Sequence, residues 1–363
     1  MTALLDELRE IIALDGPMAV ERYMDLCLSH PVHGYYRTRD PFGPAGDFTT
    51  APEISQMFGE LVGLWAAAVW EGMGRPDPVR LVELGPGRGT LLSDALRAAR
   101  ALPGFAGALR LHLVETSPVL RAKQEAALWD GPVPVSWHGD LREVPGGPAI
   151  VVANEFFDAL PIRQFVRTER GWCERLVGLR SGRLCFGLAA EPESSLALPA
   201  PVGAILEAPA AGAALMARLA DRLVAEGGAV LLLDYGEGRG GRGDTLQAVK
   251  NHRFADPLAE PGEADLTAHV DFGALAEVAR RHGARTYGPV AQGDFLRALG
   301  IETRAAALRA RASPAQGEAI DAALRRLSGD GPADMGRLFK VLAVANAEVG
   351  PLPGFPPEPS PES

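Results

Sequence analysis

The stretch LVELGPGRGT, residues 81–90, constrains this chain more than any other. An apolar strand runs into a turn holding Gly85, Gly87 and Gly89, and LLSDALRAAR then reads as a helix. Glycines between a strand and a helix let the backbone approach a ligand closely, and the helix start offers free N–H groups of positive partial charge. That arrangement serves a nucleotide-containing cofactor. Dinucleotide sites use G-x-G-x-x-G; here the spacing is G-x-G-x-G, with Glu83 inside the strand. A carboxylate there attracts the ammonium and sulphonium of S-adenosylmethionine and repels a pyrophosphate. The methyl donor is favoured over NAD, and a tight turn without a ligand stays open as a third reading.

Around this turn, strand and helix patterns alternate. VRLVELG, LRLHLVET, VPVSWHGDL and AIVVANEFF read as strands with helices between them, and GAVLLLDYGE, RTYGPV and RLFKVLAVAN add three more near the end. Such alternation predicts an α/β fold with a largely parallel sheet, whose ligands sit beyond the carboxyl ends of the strands. Seven strands in this arrangement are the count of a class I methyltransferase, or Rossmann-like, sheet. Glu115, ending the second strand, then stands where an acid accepts both ribose hydroxyls, although it could also simply end a strand at the surface.

The remainder divides around this core. Residues 1–75 hold N-terminal helices and a segment, 29–52, too long and too aromatic for an idle loop, which is expected to form a lid over the cofactor. Residues 76–161 are the first half of the core. Residues 162–226 form an antiparallel meander and a helix, a region suited to the substrate, and 227–346 the second half of the core with a helical insertion. The tail, 347–363, is expected to be disordered from its proline content. In DLTAHVDF, Asp271 reads as the cap of a helix starting at 272.

Composition excludes several classes. Apolar residues are 47% and charged residues 23% of the chain, an ordinary globular balance, and the net charge of −10 opposes nucleic-acid binding. No apolar run reaches the ~18 residues of a membrane span. The amphipathic N-terminus carries Asp6, Glu7 and Glu10, unlike a transit peptide, and reads as part of a bacterial cytoplasmic protein. Three cysteines without paired spacing indicate neither zinc nor a disulfide framework. His30 and His33 in HPVHG lie three apart, but Pro31 and Gly34 break the helix that would align them, so no metal is expected.

GYY, GDFTTAPEISQMFGELVG, LVELGPGRGTLLSDALR, HLVETSP, NEFFDALPI, LLLDYGE, ADLTAHVDF and MGRLFKVL, in this order within about residues 16–345, resemble the MidA-like family. The resemblance implies a class I S-adenosylmethionine-dependent protein arginine methyltransferase related to the mitochondrial complex I assembly factor. The implied partner is a protein substrate, the complex I 49-kDa-type subunit; a homodimer is admitted. Gly85, Pro86, Gly87 and Gly89 would flank the methionine portion of the cofactor beside Glu83, with Glu115 at the ribose and Asp140 near adenine. Gly46, Asp47, Phe48, Thr49 and Thr50 match the loop that the family folds over the cofactor. The product would be S-adenosyl-L-homocysteine.

Methyl transfer is an in-line displacement that rests on positioning in a dry pocket. An arginine acceptor is protonated at any ordinary pH and must be oriented and relieved of a proton, which carboxylates can do. NEFFDALP supplies Glu155 and Asp158 past the fourth strand, and these are the candidate guanidinium clamp. Asp158 could instead cap the turn before Pro161. Asn154 is a third candidate, where the pattern departs from the mitochondrial member. Tyr35, Tyr36, Glu53 and Gln56, from the lid and the helix after it, would shape the substrate channel; aromatic packing is the competing reading of the tyrosines. An S-adenosylmethionine-binding assembly factor without catalysis and an NAD-dependent oxidoreductase remain the alternative functions.

Overall fold

A computed structural model of the chain describes residues 2–43, 46–128, 133–238 and 243–356. Its centre is a sheet with seven strands along its main path, β1 (Val79–Leu84), β2 (Leu109–Val114), β3 (Val135–His138), β4 (Ala149–Asn154), β5 (Gly228–Glu237), β6 (Arg285–Ala291) and β7 (Phe339–Ala345), and an eighth, the two-residue strand Val270–Asp271, beside β5. The spatial order is β6-β7-β5-β4-β1-β2-β3. All neighbours are parallel except β7, which runs antiparallel to both β5 and β6. The strand order reverses between β1 and β4, which opens a crevice at their carboxyl ends. Register brings those ends level: Leu84 pairs with both Val114 and Ala153, and Asn154 pairs with Leu233.

The central strands are apolar runs because both sheet faces are covered. On one face, Leu81, Leu111, Ile150, Val152, Leu231 and Val341 pack with Phe58, Leu61 and Trp65 of the helix Gln56–Gly72. That helix lies close to Thr90–Ala99: a Cβ on Gly59 would come within 2.6 Å of Asp94 Cβ, and one on Gly63 within 2.7 Å of the Ala95 backbone. On the other face, Val82, Val151, Val230 and Leu232 pack against Met216 and Leu219 of Ala210–Glu226 and against Phe272 and Leu275 of Phe272–Arg281. Asp271 caps the latter helix, accepting from Ala274 N at 2.9 Å. The insertion between β6 and β7 is helical, with Gln292–Ala298, Ile301–Arg309 and Pro314–Ser328.

A third core joins distant parts of the chain. The N-terminal helices Ala3–Asp15 and Val20–Ser29 bury Leu4, Leu8, Tyr23 and Met24 against the meander Arg163–Thr168, Gly171–Arg180 and Arg183–Leu188. Met18 and Ala19 pair with Val177 and Leu176 of that meander. Ile205–Ala208 returns beside Arg163–Thr168. A small sheet of Gln247–Lys250, Arg253–Ala255 and Asp265–Thr267 completes this region; sequence reasoning missed it, because its strands are three or four residues long and divided by turns.

The tail corrects the expectation of disorder from residue 347 onward. Val349 and Leu352 are buried in the core, and the Phe355 ring lies 5.5 Å from that of Phe295. Three apolar side chains among the prolines suffice to dock this stretch on the insertion. Residues 357–363 lie outside the described residues.

Candidate active site

A cavity of about 850 Å³ opens at the carboxyl ends of β1, β2, β4 and β5, within the range of small-molecule sites. At one end stands the glycine turn. Gly85 has φ 62°, and a Cβ there would lie 2.6 Å from the Phe156 ring, so the turn admits no side chain at this point. Glu115 follows β2 and accepts from Ser117 N at 2.6 Å and from Gln124 Nε2 at 3.1 Å. Asp140 lies past β3, where the Arg142 fork at 2.9 Å holds its carboxyl down to about 2.

Behind the turn, a smaller recess is lined by Thr50, Glu53, Glu83, Pro86 and Asn154. Burial, with the charge of Glu115 behind it, pushes the Glu83 carboxyl up to about 8. Glu83 Oε2 and Asn154 Oδ1 are both buried without a hydrogen-bond partner. Buried polar groups are normally satisfied, so two orphaned acceptors beside an open glycine turn fit a ligand that brings N–H donors and positive charge.

The lid closes over this end. Arg88, from the turn itself, donates to Phe42 O at 2.6 Å and pairs with Asp40 at 2.8 Å and Glu53 at 3.3 Å. Lys123 also pairs with Asp40. Asp47 accepts from the Tyr35 hydroxyl at 2.6 Å and from Asn251 N at 2.6 Å, so one carboxylate ties the lid to the small sheet. Phe48 and Thr49 reach the main cavity.

Carboxylates also gather along the cavity, from Glu155, which borders the recess behind the turn as well, to Asp158 and Asp265. Glu155, with φ 48°, holds a left-handed backbone conformation uncommon outside glycine; its Oε1 accepts from Ala51 N at 2.8 Å and Asn154 Nδ2 at 3.2 Å. Burial pushes its carboxyl up to about 7. Asp158 is pushed by burial to about 6, against a hydrogen bond from the Tyr235 hydroxyl. Asp265 accepts from the Tyr36 hydroxyl at 2.8 Å and is pushed to about 8, first by burial and then by the charge of Asp158. The turn carrying the first two is fixed from below: Asp234, in the carboxyl half of β5, accepts from the amides of Phe156, Phe157 and Asp158 at 3.0–3.2 Å. Acids of raised pKa that converge in a cavity can bind a cation and take up a proton.

Among the candidates read from the sequence, the main cavity brings together Tyr36, Phe48, Thr49, Gly85, Gly87, Glu115, Asp140, Glu155 and Asp158. Thr50, Glu53, Glu83, Pro86 and Asn154 line the recess behind the turn. Tyr35, Gly46, Asp47, Gln56 and Gly89 line neither. Tyr35 is fully buried and holds Asp47; Gln56 points away and accepts from Arg97 at 3.0 Å. Gly89, in the left-handed region, starts the helix after the turn. Sequence reasoning missed Asp265 and Tyr235 as cavity residues, although both lie in blocks, ADLTAHVDF and LLLDYGE, that it singled out. His30 and His33 share Glu7, at 3.1 and 3.2 Å, and no group of metal ligands forms among the described residues. No helix there is long and apolar enough to cross a membrane.

Known proteins match this architecture. A family described as putative S-adenosyl-L-methionine-dependent methyltransferases matches residues 61–290. The mitochondrial protein arginine methyltransferase NDUFAF7 homolog of Drosophila melanogaster is 38% identical over 97% of this chain and 88% of its own length. Human NDUFAF7 is 37% identical over 84% of this chain and 75% of its own. A superfamily member from Burkholderia thailandensis, solved with S-adenosyl-homocysteine bound, superimposes with a TM-score of 0.83 at 29% identity, covering 97% of this chain and 94% of the other. With the glycine turn, the strand order and these relatives in agreement, the chain belongs to the S-adenosyl-L-methionine-dependent methyltransferase family that includes the NDUFAF7 proteins.

Proposed function

We propose that this protein methylates an arginine side chain of a protein acceptor, the 49-kDa-type subunit of respiratory complex I during its assembly. The observation that carries this reading is the convergence of Glu155, Asp158 and Asp265 on the cavity that also holds the glycine turn. An arginine acceptor matches the names of the relatives, which are protein arginine methyltransferases; the complex I target follows from the family resemblance.

Gly85, Gly87 and Glu115 would hold the cofactor's sugar and methionine portions, Glu83 and Asn154 its ammonium group, and Asp140 its base. Bound S-adenosyl-L-methionine supplies an electrophilic methyl group and leaves as S-adenosyl-L-homocysteine. Glu155 and Asp158 orient the guanidinium by charge-assisted hydrogen bonds, leaving one nitrogen aimed toward the glycine turn. As that nitrogen gains the methyl group, its proton passes to a carboxylate. Burial suits Glu155 and Asp158 to this step, because their raised pKa values make them stronger bases than an exposed acid. Tyr235 and Tyr36 hold Asp158 and Asp265 in place.

The test is to incubate the purified protein with isotopically labelled S-adenosylmethionine and extract from a strain lacking the gene, then map the label by peptide mass spectrometry. The expected result is label on one arginine of the 49-kDa-type subunit, lost with Asp158→Asn. No label, in extract shown to contain the unmodified subunit, would replace this reading with a binding-only assembly role.

A further inference from the structure

The hairpin of Gln247–Lys250 and Arg253–Ala255 turns through Asn251 and His252, whose φ values of 51° and 59° mark a two-residue turn of the primed type. In such a hairpin the residues flanking the turn, Lys250 and Arg253, exchange both backbone bonds. The next pair, Val249 and Phe254, is then a non-hydrogen-bonded pair. The N–H and C=O of Phe254 therefore point away from the partner strand, and Arg253–Ala255 is the edge of its sheet. Proteins usually blunt or cover such an edge.

This edge lies at the cavity. Phe254 is 81% exposed, the only exposed Phe, Tyr or Trp side chain among the described residues, yet it lines the cavity. Leu338, 51% exposed, lines it as well. The hairpin is also anchored: Asn251 N donates to Asp47 Oδ1 at 2.6 Å and His252 N to Asp47 O at 3.0 Å, which fixes the edge to the lid. An apolar rim, a free pair of main-chain groups and an acidic interior thus share one entrance.

We infer that the acceptor docks as an extended polypeptide strand along Arg253–Ala255, pairing with the outward N–H and C=O of Phe254, so that an arginine opposite Phe254 reaches the carboxylates. Directly opposed residues of paired strands place their side chains on the same face, so the side chain facing Phe254 enters where Phe254 itself lines the cavity. Charge complementarity selects the occupant: the interior presents Glu155, Asp158 and Asp265 to whatever side chain enters. Main-chain pairing supplies affinity with little regard to the flanking sequence. This inference rests on the arginine reading for the entering side chain and on the edge geometry for the docking.

The test uses the full chain saturated with S-adenosyl-homocysteine and a fluorescein-labelled peptide, Thr-Val-Thr-Arg-Thr-Val-Thr, with a twin carrying lysine in place of arginine, read by fluorescence anisotropy. Phe254→Ala removes the ring alone; Phe254→Pro removes the ring and the outward N–H while sparing the hairpin's own bonds, a position where an edge strand tolerates proline. Phe254→Pro is expected to weaken the arginine peptide about tenfold beyond Phe254→Ala, with cofactor affinity and thermal midpoint unchanged. Equal binding by the two variants, or no binding of either peptide to the unsubstituted protein, would overturn the docking mode. If the lysine twin binds as tightly as the arginine peptide and both respond to Phe254→Pro, the docking mode stands and the arginine reading fails.

Discussion

The two ends of the cavity were built in different ways. The glycine end comes from successive strand ends: Glu83 and Gly85 at β1, Glu115 after β2, Asp140 after β3. The carboxylate end is assembled from four separated segments: Tyr36 from the lid, Glu155 and Asp158 after β4, Tyr235 on β5, and Asp265 on the small sheet. The first needs only a parallel sheet of the expected order. The second exists only if the lid, the small sheet and the N-terminal helices dock correctly on that sheet.

Substitutions should separate the two ends. The largest expected effect is at the carboxylate end: Asp158→Asn should lower the rate of methyl transfer ~10²–10⁴-fold, the range for losing a positioned acid–base group. Equilibrium titration should show its S-adenosyl-homocysteine affinity unchanged. Gly85→Ala should do the converse, weakening cofactor binding by roughly 100-fold in calorimetry, since its Cβ would meet Phe156 in a left-handed backbone that costs about 1–2 kcal/mol.

Proton linkage gives a smaller effect of definite sign. Glu83 must be ionised to hold an ammonium group, and its carboxyl is pushed up to about 8. Cofactor affinity should therefore rise by up to about tenfold per pH unit as pH approaches 8 and level off above it, a slope that Glu83→Gln abolishes. In the ligand-free protein the same raised values act oppositely on folding. Glu155 and Asp158, at about 7 and about 6, bind more protons folded than unfolded between the ordinary carboxylate range and those values. Their contribution to stability is full at acid pH and declines as pH rises through about 7, which chemical denaturation at several pH values would detect. The smallest effect belongs to Gln56, which lines neither space: Gln56→Ala should leave transfer unchanged and stability within about 0.5 kcal/mol.

What could be read in advance follows the same division. The glycine turn, Glu83, Glu115 and the alternation of strands and helices are local patterns, and periodicity plus spacing predicts them. Glu155 and Asp158 were legible because they follow a strand whose carboxyl end had to face the ligand. Asp265 was not, although it stands in a block singled out from the sequence, because its strand of three residues has too few positions to show a period. Tyr35 and Tyr36 are adjacent and chemically alike, yet one is buried on Asp47 and the other holds Asp265 at the cavity. The helix Tyr35–Thr38 turns them to different neighbours, and no residue count anticipates that. The tail docks at Val349 and Leu352 because three apolar side chains outweigh the proline content that predicts disorder.

The central claim is that one cavity takes the methyl donor at its glycine end and a guanidinium at its carboxylate end. The most direct measurement is a calorimetric titration of n-butylguanidinium into protein saturated with S-adenosyl-homocysteine, repeated with Asp158→Asn. Binding without displacement of S-adenosyl-homocysteine, weakened about tenfold or more by the substitution, is the predicted result. Displacement of S-adenosyl-homocysteine by the guanidinium, or equal binding with and without Asp158, would contradict it.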